Sequence, residues 1–340
     1  MARLKDIAAR TGLSVNTVSL ALRDSPRIPP DTRSRIREVA EALDYTPNFA
    51  AQVLHTQQTM TVGLLIPDIT NPLLARVAHC TEQELRRFGY VTLLASATEL
   101  ETEERRALNT FRARQVDGIL MFPANHGRLD DVRRLRAGGM PVVLMAGEDA
   151  AGLDVVCMDE YDGARRATEH MIAAGHRRIG LVDNSDVTRA NPAKRNGYRA
   201  ALAEAGLPDL PELVVPPSGD SAQAGYAALG RMMAGPVPPT AVLIGDDRLA
   251  LGGLHWCQVH GLAVPGDLAV FGYDNIEYSA FSAPPLSSVD NPSEDLAQMA
   301  VARLLMLIAS RDAMPPPEVL RIPPELVLRA STGLPKARKD

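Results

Sequence analysis

Apolar residues recur at helical spacing through the first 46 positions of the chain. Leu4, Ile7 and Ala8 make one amphipathic turn, after which Gly12 interrupts the pattern. Ser14 is placed to cap a second helix over 15–22, with Val18, Ala21 and Leu22 inward and Val15, Asn16 and Ser19 outward. Asp31 is placed to cap a third, along which Ile36, Val39, Ala40 and Leu43 keep the period. Pro47 and Asn48 close this unit. Phe49 to Leu54 has room for one or two more helical turns, and the polar run from His55 to Thr59 reads as a linker.

From Thr61 the period changes. Strand-like runs over 62–66, 91–95, 118–122, 142–145, 179–182, 241–244 and 268–271 alternate with amphipathic stretches. Those stretches cover 73–88, 103–114, 163–174, 193–205, 221–233 and 249–260. Repeated strand–helix units imply a parallel sheet with helices on both faces. Roughly 275 residues divide better over two Rossmann-like layers than over one very large sheet. The fold class expected is therefore a small all-α helix-turn-helix head on an α/β body of two Rossmann-like subdomains.

Composition narrows the function classes. The 340 residues are 46% hydrophobic and 23% charged, as in soluble globular proteins. The net charge of −5 hides an asymmetry: residues 1–58 carry eight Arg and Lys against six Asp and Glu, while the remainder carries 28 against 35. A small basic head thus precedes a larger acidic body. The opening MARLKDIAAR lacks the apolar core of a signal peptide, and no uncharged apolar run approaches the roughly 20 residues that span a bilayer. Cys80, Cys157 and Cys257 are far apart, which suggests neither a disulfide framework nor a zinc ribbon. A reducing, cytoplasmic setting is expected, with no membrane partner.

The segment from Leu4 to Ser19 has the form of a helix-turn-helix. Gly12 permits the tight turn, Leu13 plugs the angle between helices, and Ser14 starts the second helix. The first residues of that second helix are the ones placed to reach base edges in a major groove. A three-helix bundle without a DNA role fits the same spacing. The head also carries the pattern D-[IV]-A-x-x-[TA]-G-[VL]-S-x-x-T-V-S, and Leu43 to Leu54 reads LDYTPNFAAQVL. In this order and spacing the two strings resemble the head and hinge helix of the lactose-repressor (LacI/GalR) family, over residues 2 to about 334.

That resemblance implies a homodimeric, nucleoid-associated regulator that represses from a double-stranded, pseudo-palindromic operator. Val15 and Asn16 would read bases, with Ser14, Thr17, Ser19 and Asn48 close to the DNA and largely on phosphates. Paired hinge helices would enter the minor groove through Ala51 and Leu54, with Leu54 as the wedge. Two departures stand out. Leu20 occupies a place where Arg is common, and Arg3 one where a Thr cap is usual.

The body strings Gly163–His170, Gly175–Gly180, Ile244–Gly252, Val264–Asp267, Phe271–Asn275, Pro285–Val289 and Pro323–Arg329 resemble the periplasmic-binding-protein-like part of the same family. The domains implied are 1–46, a hinge and linker at 47–60, and an effector-binding and dimerisation body at 61–334. Within the body, one subdomain would take about 61–158 and 291–318, the other about 159–290 and 319–332. Asp68, Asn71, Lys194, Arg195, Asp246 and Asp274 would hold a small-molecule effector, with Asp274 accepting from ligand hydroxyls. A sugar, a sugar derivative, or an anionic metabolite held by Lys194 or Arg195 is expected. Leu73, Leu74 and Ser221 stand where relatives offer aromatic rings, which argues against a plain hexose.

Enzyme signatures are missing: no G-x-G-x-x-G follows a strand, and there is neither a Walker loop nor a G-x-S-x-G elbow. His255, Cys257 and His260 share one expected helix at a spacing that spreads them around it. No metal or cofactor is expected. A stand-alone metabolite-binding protein is the main alternative, and an enzyme on the same body the next.

Overall fold

The computed structural model describes residues 2–22, 24–45, 58–97, 101–123, 125–147, 150, 152–183 and 192–333. They fall into two units, Met1–Thr59 and Met60–Asp340. In the first, helices α1 (Leu4–Thr11), α2 (Val15–Leu22) and α3 (Pro30–Ala42) enclose Ile7, Val18, Ala21 and Ile36, all fully buried. Gly12 ends α1 in the left-handed region at φ 71°, its N–H donating to Ala8 O. Arg3 leaves the capping of α1 to Asp6, whose carboxylate accepts from the Arg3 N–H at 2.8 Å. Leu20 packs against the head core. Asp31 proves not to be the cap of α3: the helix begins at Pro30, whose missing N–H costs nothing there, and Asp31 lies in the first turn. The hinge expected over 47–54 lies outside the described residues.

The body holds two six-stranded sheets. The first runs β11 (Val319–Ile322), β5 (Asp154–Met158), β4 (Val142–Leu144), β3 (Gly118–Met121), β1 (Thr61–Ile66) and β2 (Val91–Ser96), and its paired strands are all parallel. Helices α4 (Pro72–Arg87) and α12 (Ser293–Ala309) share one apolar cluster with Leu64 and Ile66. The opposite face buries Leu65 with Leu108 and Phe111 of α5 (Glu101–Ala113) and Val132 of α6 (Asp130–Ala137). Alternation of neighbouring residues between two faces is the strand period itself.

The second sheet runs β12 (Glu325–Val327), β10 (Ser287–Asp290), β9 (Ala269–Asp274), β8 (Ala241–Ile244), β6 (Ile179–Val182) and β7 (Val214–Val215). Only β12 pairs antiparallel. Helices α7 (Glu160–Ala173) and α8 (Ala193–Glu204) line one face, and α9 (Ala222–Met233) and α10 (Asp247–Val259) the other. The short α11 (Glu277–Phe281) follows β9. α9 and α10 meet backbone to backbone, since a Cβ on Gly252 would lie 1.8 Å from Ala222 O.

The chain crosses between lobes after β5, after β10 and between β11 and β12. One expected boundary is corrected by this. Residues 319–322 belong to the first lobe, because β11 pairs in parallel with β5, and the crossing falls after Ile322. At the end of the strands away from the crossings, the start of β11 is pinned to the start of β5 by a buried ion cluster. Asp154 accepts from Arg303 Nε at 2.7 Å and from the Glu318 N–H at 3.2 Å, and Arg136 Nη2 lies 2.7 Å from its other oxygen. Arg303 also reaches Glu318 at 2.8 Å. Among the described residues, no helix is long and apolar enough to cross a membrane.

Removing the shared anion would leave the buried Arg136 guanidinium without its counter-charge and Arg303 with only the half-exposed Glu318. Asp154→Ala is therefore expected to cost about 3–5 kcal/mol of body stability, read as a lowered denaturation midpoint in urea. A change below about 1 kcal/mol would show that the cluster is solvated and does not hold β11 to β5.

Candidate functional site

Two surfaces carry the sequence-derived candidates. On the head, Ser14 caps α2, its Oγ accepting from the Thr17 N–H at 3.1 Å and lying 2.8 Å from Thr17 Oγ1. The cap fixes where the helix begins, so Val15 and Asn16 emerge at its exposed first turn while Val18 is fully buried below them. Thr17 is half-buried. Ser19 is half-buried as well rather than exposed, because it sits one position beyond the core-facing Val18. Arg33 and Arg37 both pair with Asp24, which holds two of the head's cations on one side of α3. Asn48, Ala51 and Leu54 lie outside the described residues.

In the body, the remaining candidates collect where parallel strands end, the usual place for a ligand in open α/β sheets. β1 leads into Asp68 and Asn71, β8 into Asp246, and β9 ends on Asp274. Asn71 Oδ1 accepts from the Leu73 N–H at 3.0 Å and so caps α4. Asp68 accepts from the Thr70 N–H and hydroxyl at 2.8 and 2.7 Å. Pro72, Leu73 and Arg76 of the first lobe face Asp274, Asn275, Ile276 and α11 of the second across a cavity of about 530 Å³.

The two expected handholds for an anion are engaged within the protein. Lys194 Nζ donates to Gly245 O at 2.8 Å, lies 3.5 Å from Glu160 Oε1, and stands 4.1 Å over the Tyr273 ring. Burial would lower its pKa, but Glu160, Asp274 and Asp246 together outweigh that and raise it. Arg195 pairs with the buried Asp183. Asp246 caps α10 by accepting from the Arg248 N–H at 2.6 Å.

Asp274 differs from all of these. It is 9% exposed, its backbone sits at φ 98°, and among the described residues its carboxylate makes neither a hydrogen bond nor an ion pair. Burial pushes its pKa up to about 8; Lys194 pulls it down, and Asp246, Asp247 and Glu160 push it further up. A non-glycine residue at positive φ is strained, and such residues concentrate at functional sites.

Sequence reasoning did not pick out Arg248, Asp247 or Glu160. Arg248 Nη1 lies 3.6 Å from Asp68 of the other lobe, and its Nη2 lies 3.8 Å from Asp220 and 3.4 Å from Asp246. It joins the lobes across the cleft mouth. Its position in the Gly245–Arg248 string was the available signal, whereas nothing local marks Glu160. The histidine–cysteine set does not converge: Cys257 is buried in the core while His260 stacks on Trp256 at 4.1 Å. Among the described residues, no group of His, Cys, Asp and Glu is arranged to hold a metal ion.

Comparison with known proteins matches both parts of the chain. Residues 3–48 match the family described as bacterial regulatory proteins, lacI family, and residues 168–332 the periplasmic binding protein-like domain. Catabolite control protein A of Priestia megaterium is 33% identical over 330 residues, 96% of this chain and 98% of its own. The lac repressor dimer bound to operator and the anti-inducer ONPF has the same fold, with a TM-score of 0.86 at 24% identity over 98% of this chain and 99% of that one. A LacI family transcriptional regulator from Enterococcus faecium with bound ribose has a TM-score of 0.71 at 27% identity, covering 81% of this chain and 100% of its own. With matching head, matching body and full-length similarity, the chain belongs to the lacI family of bacterial regulatory proteins.

Proposed function

We propose that this protein is a homodimeric transcriptional repressor of the bacterial cytoplasm and nucleoid. It binds a pseudo-palindromic operator through its head and senses a small polar metabolite in the cleft of its body. The observation that carries this reading is the capped start of α2, which presents Val15 and Asn16 outward above a buried Val18. Asn16 is suited to a bidentate pair with adenine and Val15 to a thymine methyl, while Ser14 and Thr17 suit phosphates. Ser19, Asn48, Ala51 and Leu54 are assigned to the DNA side by likeness to the family. The operator in the lac repressor complex and the ribose in the Enterococcus faecium regulator support both halves of the reading.

The organisation we assign is a head at 1–46, a hinge and linker at 47–60, and a body at 61–334. A ligand acts on operator affinity only through unequal affinity for the DNA-competent and incompetent arrangements of the lobes. Arg248 and Asp68 supply an element that distinguishes such arrangements, since their 3.6 Å approach needs the lobes close together. We assign no catalytic step. Lys194, the residue suited to amine chemistry, is held by Gly245, Glu160 and Tyr273.

Fluorescence anisotropy with DNA from upstream of the protein's own gene tests the DNA half. The full-length dimer should bind one site specifically, with affinity falling steeply as salt rises. Asn16→Ala should weaken that site by about 1–3 kcal/mol, or roughly 5- to 150-fold, and leave random DNA nearly unaffected. Leu54→Ala should likewise weaken operator binding far more than random binding. Equal losses on both DNAs would remove these residues from sequence reading.

The sensing half has its own test in the titration of Asp274, which faces Lys194, Asp246, Asp247 and Glu160. In the unfolded chain it ionises near about pH 4, whereas in the fold it stays protonated up to about 8. Between those values the unfolded state binds fewer protons, so rising pH disfavours the folded state through this group. Asp274→Asn removes that contribution. Its melting temperature relative to the parent should climb steadily from about pH 4 to about pH 8. A constant difference across that range would mean that the carboxyl is solvated and not poised for a ligand.

A further inference from the structure

Beyond residue 58 the chain carries 28 Arg and Lys against 35 Asp and Glu, yet one stretch reverses the balance. From Arg105 to Arg136 there are eight arginines and only three aspartates. Arg136 is engaged by Asp154, and Asp117 is buried. The other charges sit on or beside α5 and α6, which cover the face of the first sheet opposite α4 and α12. None of their residues lines the cavity beside Asp274.

α5 follows β2 and α6 follows β3, so both run back across the same face of a parallel sheet. They meet over a hollow of about 330 Å³. At helical spacing, α5 offers it Arg105, Asn109 and Arg112, and α6 offers Asp131 and Arg134. Leu108 and Leu135 give it an apolar wall. Asp131 accepts from Arg105 Nε at 2.9 Å and also from Arg134, and these bonds hold its carboxyl below the usual carboxylate range. It therefore counts as a full negative charge that orders two guanidinium groups. Arg112 is exposed and has neither an ion pair nor a hydrogen-bonded partner among the described residues. Along the lining, three cations face one carboxylate, an excess of two.

Arginines at helix C-termini suit the macrodipole, and Arg112 and Arg134 both lie in last turns. That accounts for each helix taken singly. It does not account for Arg105, near the start of α5, or for the convergence of arginines from two helices on one hollow. The size of the excess separates the ligands. A neutral molecule leaves it in place, and a carboxylate or a phosphodiester answers half of it. A phosphate monoester carries about −1.5 to −2 charges at pH 7 and three acceptor oxygens, which suit the planar donor fork of Arg.

We propose that the hollow between α5 and α6 binds a small phosphate monoester, with its phosphate on Arg112 and Arg134. Asn109 stands beside them to meet a hydroxyl, and Leu108 and Leu135 flank a short carbon frame. The volume matches the lower end of small-molecule sites, about 300 Å³. This site is separate from the cleft, and it depends neither on the sensing reading nor on DNA binding.

Full-length protein is to be titrated by calorimetry with inorganic phosphate, glycerol 3-phosphate and glucose 6-phosphate. Glycerol, glucose and the methyl diester of glycerol 3-phosphate are the matched controls. At least one monoester should bind, about tenfold or more tighter than its neutral parent, and glycerol 3-phosphate should likewise exceed its diester. Arg112→Ala should weaken the monoester about tenfold or more, and Arg112→Lys, which keeps the charge but not the fork, should restore part of the loss. Asp274→Asn, in the cleft, should leave monoester binding as it was.

If no monoester binds, the proposal falls. Equal affinity for monoester and diester would overturn the charge match. A monoester lost with Asp274→Asn but kept with Arg112→Ala would sit in the cleft, which overturns the site. Operator affinity that drops with Arg112→Ala in the absence of any phosphate ester would give this arginine to DNA instead.

Discussion

The cleft depends on Asp247, a fully buried carboxylate whose donors come from within the protein. Oδ2 accepts from the Ser279 hydroxyl at 2.6 Å and the Ile276 N–H at 3.1 Å, and the Ser288 hydroxyl reaches both oxygens at 2.9 and 3.0 Å. Ser288 in turn accepts from the Asn275 N–H at 3.0 Å. One side chain at the start of α10 thereby ties together the end of β9, α11 and β10. Burial drives its pKa up to about 7 against these donors, with Asp246 adding to the rise. Nothing larger fits beside it, because a Cβ on Gly272 would lie 2.0 Å from Asp247 Oδ1. With that anchorage the corner at Asp274 and Asn275 can hold positive φ at two successive non-glycine residues.

A rigid corner explains how a carboxylate can stay buried without a partner. Left mobile, Asp274 would turn towards Lys194 or towards water. Held in place, it keeps an unmet demand for a donor, and the binding of a suitable ligand meets that demand. Lys194 is held by Glu160 and Gly245 O, and Arg329 by Leu286 O and Asn275 Oδ1, so neither reaches Asp274 by a small rotamer change. Stability is sacrificed locally for a defined chemical preference, the trade usual at functional sites.

Local signals made the head legible. Gly12, the Ser14 cap and the spacing of Ile7, Val18 and Ile36 act over a few residues each, and the observed helices follow them apart from the start of α3 at Pro30. The alternation of strands and helices in the body was equally plain, since buried parallel strands are short continuous apolar runs. Strand β10 was not visible as a run because Ser287 and Ser288 stand where apolar residues would. Their hydroxyls serve Arg329 O, Thr332 and Asp247, partners from distant parts of the chain. β11 lies in the first lobe and not in the second expected for 319–332, because its neighbour β5 lies about 160 residues away and only pairing decides between sheets. The site showed the same limit: Asp274 and Asp246 were visible as motif residues, but the engagement of Lys194 was not. Its partners Glu160, Gly245 and Tyr273 come from three separate elements.

The division of charge along the chain takes on a physical meaning in this light. The head's excess over its own acids is only two, and Arg33 and Arg37 are occupied by Asp24, so bulk attraction to DNA is weak. Discrimination must then rest on the geometry with which two heads present a few residues such as Asn16, and that geometry is what a change in the lobes can alter. The body's acidity is not spread evenly as a solubilising coat. A substantial share of it converges on the cleft, at Asp68, Asp220, Asp246, Asp274 and Glu160, where Arg248 spans the lobes between three of these carboxylates. A ligand that changes the ionisation of Asp274 changes the field felt by Asp246, and so by Arg248 and its contact with Asp68. Through that contact, the chemistry of recognition and the relation between the lobes are one electrostatic system.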